Sequence, residues 1–262
     1  MKQCKDITSK KNPLYKLINN LSQKKVRENN GLFLIEGTRL LKEAGNKGAK
    51  IKYIVIEETM ENLPKITQDC QILRLPSNLF KKISNTVSPQ GIIAVAEKIE
   101  MSLLDIALNK NPLVVVLNGI QDPGNLGTII RTSAAAGVTA VLLTKGTVDL
   151  YNPKVIRSTM GSLFQVPIIN GLDANEAVKW LNHHSINIMV ADLKGEEYYY
   201  SANLKEPLAL VIGNENKGAN NIWMQAAYKK IKIPILGSTE SLNASVAAAI
   251  ILYDAVRQRL DK

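Results

Sequence analysis

This sequence predicts an α/β protein: a parallel-sheet domain preceded by a smaller α/β domain. Three observations carry the expectation. From residue 113 onward, strand-length segments are almost wholly apolar, at 113–117, 140–143, 165–169, 186–190, 208–212 and 231–235. Such runs, without polar–apolar alternation, suit a parallel sheet covered on both faces. Helical segments at 127–136, 153–161, 174–183 and 243–260 separate them. Several of the strands run into loops of Gly, Asn and one charged residue, and open α/β sheets bind ligands at such strand ends.

The front of the chain alternates in the same way on a smaller scale. Residues 12–21 and 38–47 read as helices, and 32–35, 53–56, 72–75 and 92–96 as short strands rich in Ile, Val and Leu. Asn62-Leu63-Pro64 and Leu75-Pro76-Ser77 are breaks. The stretch is the size of a small domain. A connection follows at 101–112. Within it Ser102-Leu103-Leu104-Asp105 can open a short helix through a capping box with Asp in place of Glu, and Asn109-Lys110-Asn111-Pro112 ends it. The resulting division is 1–100, 101–112 and 113–262. The last helix begins at Asn243, a good N-cap, and carries Val246, Ile250, Tyr253 and Val256.

The 262 residues are 45% hydrophobic and include 33 Lys+Arg against 23 Asp+Glu, a net charge of +10. That excess favours a polyanionic partner such as RNA or DNA. Cys4 and Cys70 lie far apart without metal-ligand spacing, which excludes a disulfide scaffold and fits a reducing compartment. His183 and His184 are adjacent, point about 100° apart on a helix, and suit an exposed helix end better than a shared metal. No signal-peptide stretch opens the chain, and the longest apolar run, 246–253, is too short to cross a bilayer. A cytoplasmic protein without metal or membrane is expected.

Three segments carry the chemistry. The first is Asn118-Gly119-Ile120-Gln121-Asp122-Pro123-Gly124-Asn125-Leu126-Gly127-Thr128-Ile129-Ile130-Arg131. Its glycines permit tight turns and close backbone approach. It has neither the Gly-x-Gly-x-x-Gly of a dinucleotide fold nor a Gly-Lys-Ser/Thr triphosphate loop. The second is Val211-Ile212-Gly213-Asn214-Glu215-Asn216-Lys217-Gly218, which sets Glu215 just past a strand. The third is Ile233-Pro234-Ile235, leading into Ser241-Leu242-Asn243-Ala244-Ser245-Val246-Ala247 at a helix N-terminus. Such a terminus needs a cap and also offers free amides to a ligand.

In order, each after an expected strand, these segments resemble the three signature motifs of the SpoU family of ribose 2′-O-methyltransferases, within the SPOUT superfamily. Residues 31–44 are similar to the substrate-binding domain that many members carry in front. The resemblance implies an RNA-binding domain at 1–100, related to ribosomal proteins, and a catalytic domain at 113–262 whose C-terminal part threads a trefoil knot. It also implies a homodimer, S-adenosylmethionine as cofactor, and transfer of its methyl group to a ribose 2′-hydroxyl of RNA, with ribosomal RNA favoured.

By motif, the cofactor pocket would draw on Thr144, Lys145, Gly146, Ile212, Gly213, Glu215, Ile233, Leu242, Asn243 and Ser245. Arg131 matches the arginine thought to activate the 2′-hydroxyl. Since a guanidinium pKa lies above about 12, clamping the adjacent phosphate and stabilising a developing alkoxide is the alternative role. Asn125, Glu215, Ser241 and Asn243 would orient Arg131 and the substrate. Small departures from the family pattern are Asn118 where an acid is common, Ala136 where an aromatic is common, and Asp254 in place of a frequent Glu. A tRNA methyltransferase, a non-catalytic RNA-binding or ribosome-assembly factor and a Rossmann-type dehydrogenase are the competing readings. The missing fingerprint argues against the last.

Overall fold

The computed structural model describes residues 4–60 and 70–260. The break expected at Asn62-Leu63-Pro64 lies outside them. The chain divides into two compact units: Met1–Ile99 with Tyr151–Phe164, and Glu100–Leu150 with Gln165–Lys262.

The first part of the chain runs β1 (Cys4–Asp6), α1 (Pro13–Asn20), α2 (Lys24–Asn30), β2 (Leu32–Glu36), α3 (Thr38–Asn46), β3 (Ile51–Glu57), β4 (Gln71–Leu75), α4 (Ser77–Ile83) and β5 (Ile92–Glu97). Its sheet has the order β1-β4-β3-β5-β2, with β5 antiparallel to both β3 and β2. One face of this sheet packs on α1 and α4 through Tyr15, Ile18, Leu79, Phe80 and Ile83. Neither α2 nor α4 is expected from the pattern. The α2 sequence, Lys-Lys-Val-Arg-Glu-Asn-Asn, has no apolar stripe, and Arg27 is its buried anchor, donating to the carbonyls of Leu21 and Ser22 at 2.8 and 2.7 Å.

The chain continues with β6 (Leu113–Asn118), α5 (Pro123–Ala135), β7 (Ala140–Thr144), α6 (Pro153–Thr159), β8 (Ile168–Leu172), α7 (Ala174–His183), β9 (Asn187–Ala191), β10 (Glu197–Tyr198), β11 (Leu208–Gly213), α8 (Asn221–Ala226), β12 (Lys229–Lys232) and α9 (Ala244–Leu260). Apart from α6, which belongs to the first unit, these elements make up the second. Its sheet is parallel throughout, in the order β10-β12-β9-β11-β6-β7-β8. The parallel sheet expected from the unbroken apolar runs is thus present. β6 and β11 lie side by side at its centre, and their C-terminal ends, Asn118 and Gly213, are in register. That register brings the first and second motif loops out of the sheet together.

The boundaries that differ most from expectation have local causes. The sixth apolar run, 231–235, is a strand only to Lys232, because Pro234 offers no N–H and the neighbouring β10 is two residues long. β8 starts at Ile168 instead of residue 165, because Pro167 stands in the expected run; its carbonyl accepts from Val141 N as the strand begins. α5 starts at Pro123 instead of residue 127. Asp122 caps it, accepting from Asn125 N at 2.8 Å, and Pro123 occupies the first turn, where its missing N–H costs nothing. The short helix expected at 102–105 is a single 3-10 turn closed by the Ser102–Asp105 capping box. His183 and His184 are exposed at the end of α7, as expected.

Gly213 ends β11 where the chain folds back on itself. A Cβ there would collide with the backbone of Gly218 and Ala219, which no rotamer change relieves. Gly213→Ala is therefore expected to destabilise the second unit by at least ~2 kcal/mol, as overpacking against fixed atoms does. Urea denaturation followed by circular dichroism measures it; a midpoint equal to the wild type would contradict the crowding.

Candidate functional site

The site grows from three loops that leave the sheet or enter a helix at one end. The loop after β11 is a tight turn in which Asn214 and Gly218 exchange backbone hydrogen bonds at 3.0 and 2.9 Å. The Asn214 side chain holds that turn from inside, accepting from the N–H groups of Asn216 and Lys217. It donates across to the carbonyl of Gly119 at 2.8 Å, linking this loop to the one after β6. Gly119 adopts φ 73°, a conformation in which glycine avoids the Cβ strain of other residues.

Glu215 stands at the tip of the turn. Its carboxylate accepts from the backbone N–H of Gln121 at 3.2 Å and Asp122 at 3.3 Å, and from Asn125 Nδ2 at 3.0 Å. Asn125 Oδ1 in turn accepts from Asn243 Nδ2 at 2.9 Å. Asn243 Oδ1 accepts from Ser245 N at 2.9 Å and Ser245 Oγ at 2.6 Å, capping α9. One line of hydrogen bonds therefore runs from α9 through α5 to the β11 loop. Partial burial pushes the Glu215 carboxyl up, but the bonds from Asn125 and the surrounding backbone N–H groups outweigh it, and the group is held below its ordinary value. It stays ionised near neutrality.

Beneath this line, Asn118 is buried, donates to Thr144 Oγ1 at 3.0 Å and accepts from Asn220 N at 2.8 Å. The Asn118 amide can donate to the one neighbour while accepting from the other, so Asn suits both. Gln121 Nε2 donates to the carbonyl of Gly146, which joins the β6 loop to the turn after β7. Lys145 is exposed and pairs with Asp173 at 3.7 Å.

Between β12 and α9 lies an open segment, 233–242. Among the described residues, none of its backbone groups takes part in a hydrogen bond within the protein. Ile233, Pro234 and Ile235 are half-buried, while Leu236 is 96% and Leu242 37% exposed. Unpartnered amides and carbonyls beside apolar side chains suit a flat heterocycle that offers hydrogen bonds at its edge and dispersion contact on its faces.

The structure thus brings Asn125, Glu215, Asn243 and Ser245 into one connected group. Thr144, Gly146, Ile212 and Gly213 lie in the strand ends and turns around it. Ser241 is exposed outside the hydrogen-bonded line. Arg131 is exposed on α5, two turns beyond Asn125, and its guanidinium makes no hydrogen bond or ion pair among the described residues. Gln121, Asp122, Asn214 and Asn220 join the constellation although sequence reasoning gave them no role; their signal was an Asn, Asp or Gln within a few residues of a loop glycine. Asp254, the acid in α9, accepts from Gln258 Nε2 at 2.9 Å and Arg257 Nε at 2.8 Å. The described residues include no group of three or more His, Cys, Asp and Glu able to hold a metal, and no helix long and apolar enough to cross a membrane.

A parallel α/β unit whose ligand loops cluster at the carboxyl ends of central strands defines the class. The model of the SpoU rRNA Methylase family matches residues 112–253, more than half of the chain, and that of the MRM3-like substrate binding domain matches residues 12–94. The chain belongs to the SpoU rRNA methylase family. It is 33% identical to the 23S rRNA (guanosine(2553)-2′-O)-methyltransferase RlmP of Bacillus subtilis over 249 residues, covering 95% of this chain and 98% of that one. It is 31% identical to the mitochondrial rRNA methyltransferase 3 of Mus musculus, covering 88% of this chain and 69% of that one. Among solved structures it is similar to the SpoU methyltransferase AviRb of Streptomyces viridochromogenes in complex with the cofactor AdoMet, with a TM-score of 0.90, 28% identity, and 95% and 99% of the two chains covered.

The Glu215 environment makes a pH prediction. A carboxylate whose folded pKa is depressed stabilises the fold fully above its unfolded value of about 4.3, and that contribution is lost as pH falls through the folded value. Glu215→Gln removes the titration. The stability difference between wild type and this variant, from urea denaturation, is expected to be constant near neutrality and to narrow below about pH 4. A difference that widens in acid would reverse the assignment.

Proposed function

We infer that this protein transfers a methyl group from S-adenosylmethionine to a ribose 2′-hydroxyl of RNA, and that ribosomal RNA is the substrate class. The observation that carries the reading is the Asn243–Asn125–Glu215 line, which ties three motif loops into one anionic, hydrogen-bonded site beside a segment rich in unpartnered backbone groups. The family membership and the rRNA methyltransferases among its relatives support it. The protein is proposed to act in the cytoplasm as a homodimer; exposed Val246, Tyr253 and Leu260 on α9 support a paired copy.

When bound, the cofactor supplies a methyl group already activated on a sulfonium sulfur. The chain's own task is then placement. The residues that would hold it are Thr144, Lys145 and Gly146 at the end of β7, Ile212, Gly213 and Glu215 at the end of β11, and Ile233, Leu242, Asn243 and Ser245 around the open segment. The backbone groups of 233–242 would read the heterocycle. Asn125, Glu215 and Asn243 fix the loops on which the substrate rests, and Ser241, two residues before Asn243, would help orient it. Arg131 is free to engage a phosphate of the RNA and to stabilise negative charge developing on the ribose oxygen. Holding the reacting groups in line can supply a large share of the roughly 7–11 kcal/mol available from proximity. Residues 1–100 are proposed as the RNA-handling domain.

Arg131→Ala is expected to lower methyl transfer at least ~100-fold, the scale of losing one charge-stabilising donor, while calorimetric binding of S-adenosylmethionine is retained. The assay is incorporation of labelled methyl into rRNA from a strain lacking the gene, followed by nuclease digestion to locate the label. Label in a base, or none with the wild-type protein, would overturn the reading. Wild-type activity in the variant would remove Arg131 from the site.

A further inference from the structure

The second unit carries an exposed aromatic cluster that the proposed chemistry leaves unused. β10 is the edge strand of the parallel sheet, and Tyr198 is in register with Lys232 of β12. Tyr198 and Tyr200 are 42% and 50% exposed, yet their rings stack nearly parallel, 5.4 Å between centroids and 8° between planes. Tyr199 meets Tyr200 edge-on at 5.2 Å. The ammonium of Lys232 lies 5.1 Å from the Tyr198 ring centre. The cluster is built on fixed backbone: Tyr199 N donates to Lys232 O at 3.0 Å, Ser201 N to Tyr198 O at 2.9 Å and Glu196 N to Lys230 O at 3.1 Å. A Cβ on Gly195 would strike the backbone of Ile231, so glycine lets this segment lie close against β12.

Leaving two ordered tyrosines half in water wastes apolar surface unless something covers them. The surrounding charge says what. Lys232 lies over the Tyr198 ring, Lys230 is two residues before it in β12 and Lys194 four residues before Tyr198 in the chain, and the acid of the strand itself, Glu197, pairs with Lys229 at 2.7 Å. Glu196 is the exposed acid that a phosphate would have to avoid. Aromatic faces beside lysines are the ingredients of single-stranded nucleic-acid binding, in which bases stack on rings and the backbone follows the positive charge. Lys232 also immediately precedes the open segment 233–242.

We propose that Tyr198 and Tyr200 form a stacking platform for an unpaired nucleobase of the RNA, with Lys232 holding the adjoining phosphate. This rests on the proposed function and adds to it a contact on the catalytic unit that would keep the target strand unpaired. The roles are positioning roles; none of these residues is assigned to the reacting atoms.

The test uses the full-length protein with Tyr198→Ala/Tyr200→Ala, Tyr198→Phe/Tyr200→Phe and Lys232→Ala. The double alanine variant is expected to raise KM for rRNA about tenfold, within the range for losing one base–aromatic stack, with kcat and S-adenosylmethionine affinity little changed. The double phenylalanine variant keeps the rings and should restore wild-type KM. A short single-stranded RNA carrying 2-aminopurine should lose fluorescence on binding wild type and the phenylalanine variant, but not the alanine variant. Unchanged KM and quenching in the alanine variant would overturn the platform. So would a change in mass by light scattering, which would make the cluster a contact between copies of the chain. Quenching needs no turnover, so a wild-type protein that quenches the probe without methylating RNA would sink the enzymatic reading and leave the platform standing.

Discussion

The second unit depends on the polarity of one hydrogen-bonded line. Glu215 is ionised and can only accept, so Asn125 must present its Nδ2 to it. That choice leaves Asn125 Oδ1 facing Asn243, which must donate. Asn243 Oδ1 then remains for the first amides of α9 and the Ser245 hydroxyl. The charge on one carboxylate thereby sets the orientation of two amides and the cap of a 17-residue helix. Neither asparagine tolerates Asp in this scheme, because a carboxylate cannot donate and accept at once.

The same line explains why loops without regular structure can hold a defined shape. The bonds Asn125–Glu215 and Asn243–Asn125 join residues 90 and 118 positions apart. Each such bond contributes about 1 kcal/mol net, or somewhat more with a charged acceptor, too little to impose the topology. The topology comes from the parallel register of β6 with β11, which delivers Asn118 and Gly213 side by side. The polar line then selects one arrangement of the loops the sheet has gathered. The N-terminal end of α5 adds to this: Glu215 accepts from Gln121 and Asp122 just ahead of the helix, where the helix dipole favours negative charge.

Much of this was legible in the sequence, for physical reasons that also mark where legibility ends. β6, β7 and β11 are uninterrupted apolar runs buried on both faces, and burial of that kind leaves a direct signature. Helix α7 was visible from residue to residue because Asp173 caps it and its apolar positions repeat at helical spacing. The start of α5 was obscured because Gly124 and Gly127 suggest a loop, whereas Asp122 and Pro123 had already nucleated the helix. The end of β12 was obscured because Ile233, Pro234 and Ile235 are apolar without being paired. The motifs named the types of residue at the site but not their partners. That Asn125 would stand between Glu215 and Asn243 is a long-range fact, and no local pattern encodes it.

The site also weighs against a purely RNA-binding role. A net charge of +10 would hold a polyanion without further device, since phosphate affinity is largely electrostatic and insensitive to loop detail. Binding of that kind gains nothing from an anionic carboxylate at the mouth of three loops; Glu215 would repel the phosphates it faced. Nor does it need ten consecutive residues, 233–242, whose backbone groups have no hydrogen-bond partner among the described residues. Such a segment forgoes the hydrogen bonds that ordinarily order a chain, and water can satisfy it only while it stays exposed. A small, uncharged-edged heterocycle would satisfy it better, and a positively charged sulfonium nearby would be drawn to the carboxylate that RNA avoids. The negative charge and the open backbone thus argue for the same occupant, which is neither a nucleic acid nor an anion.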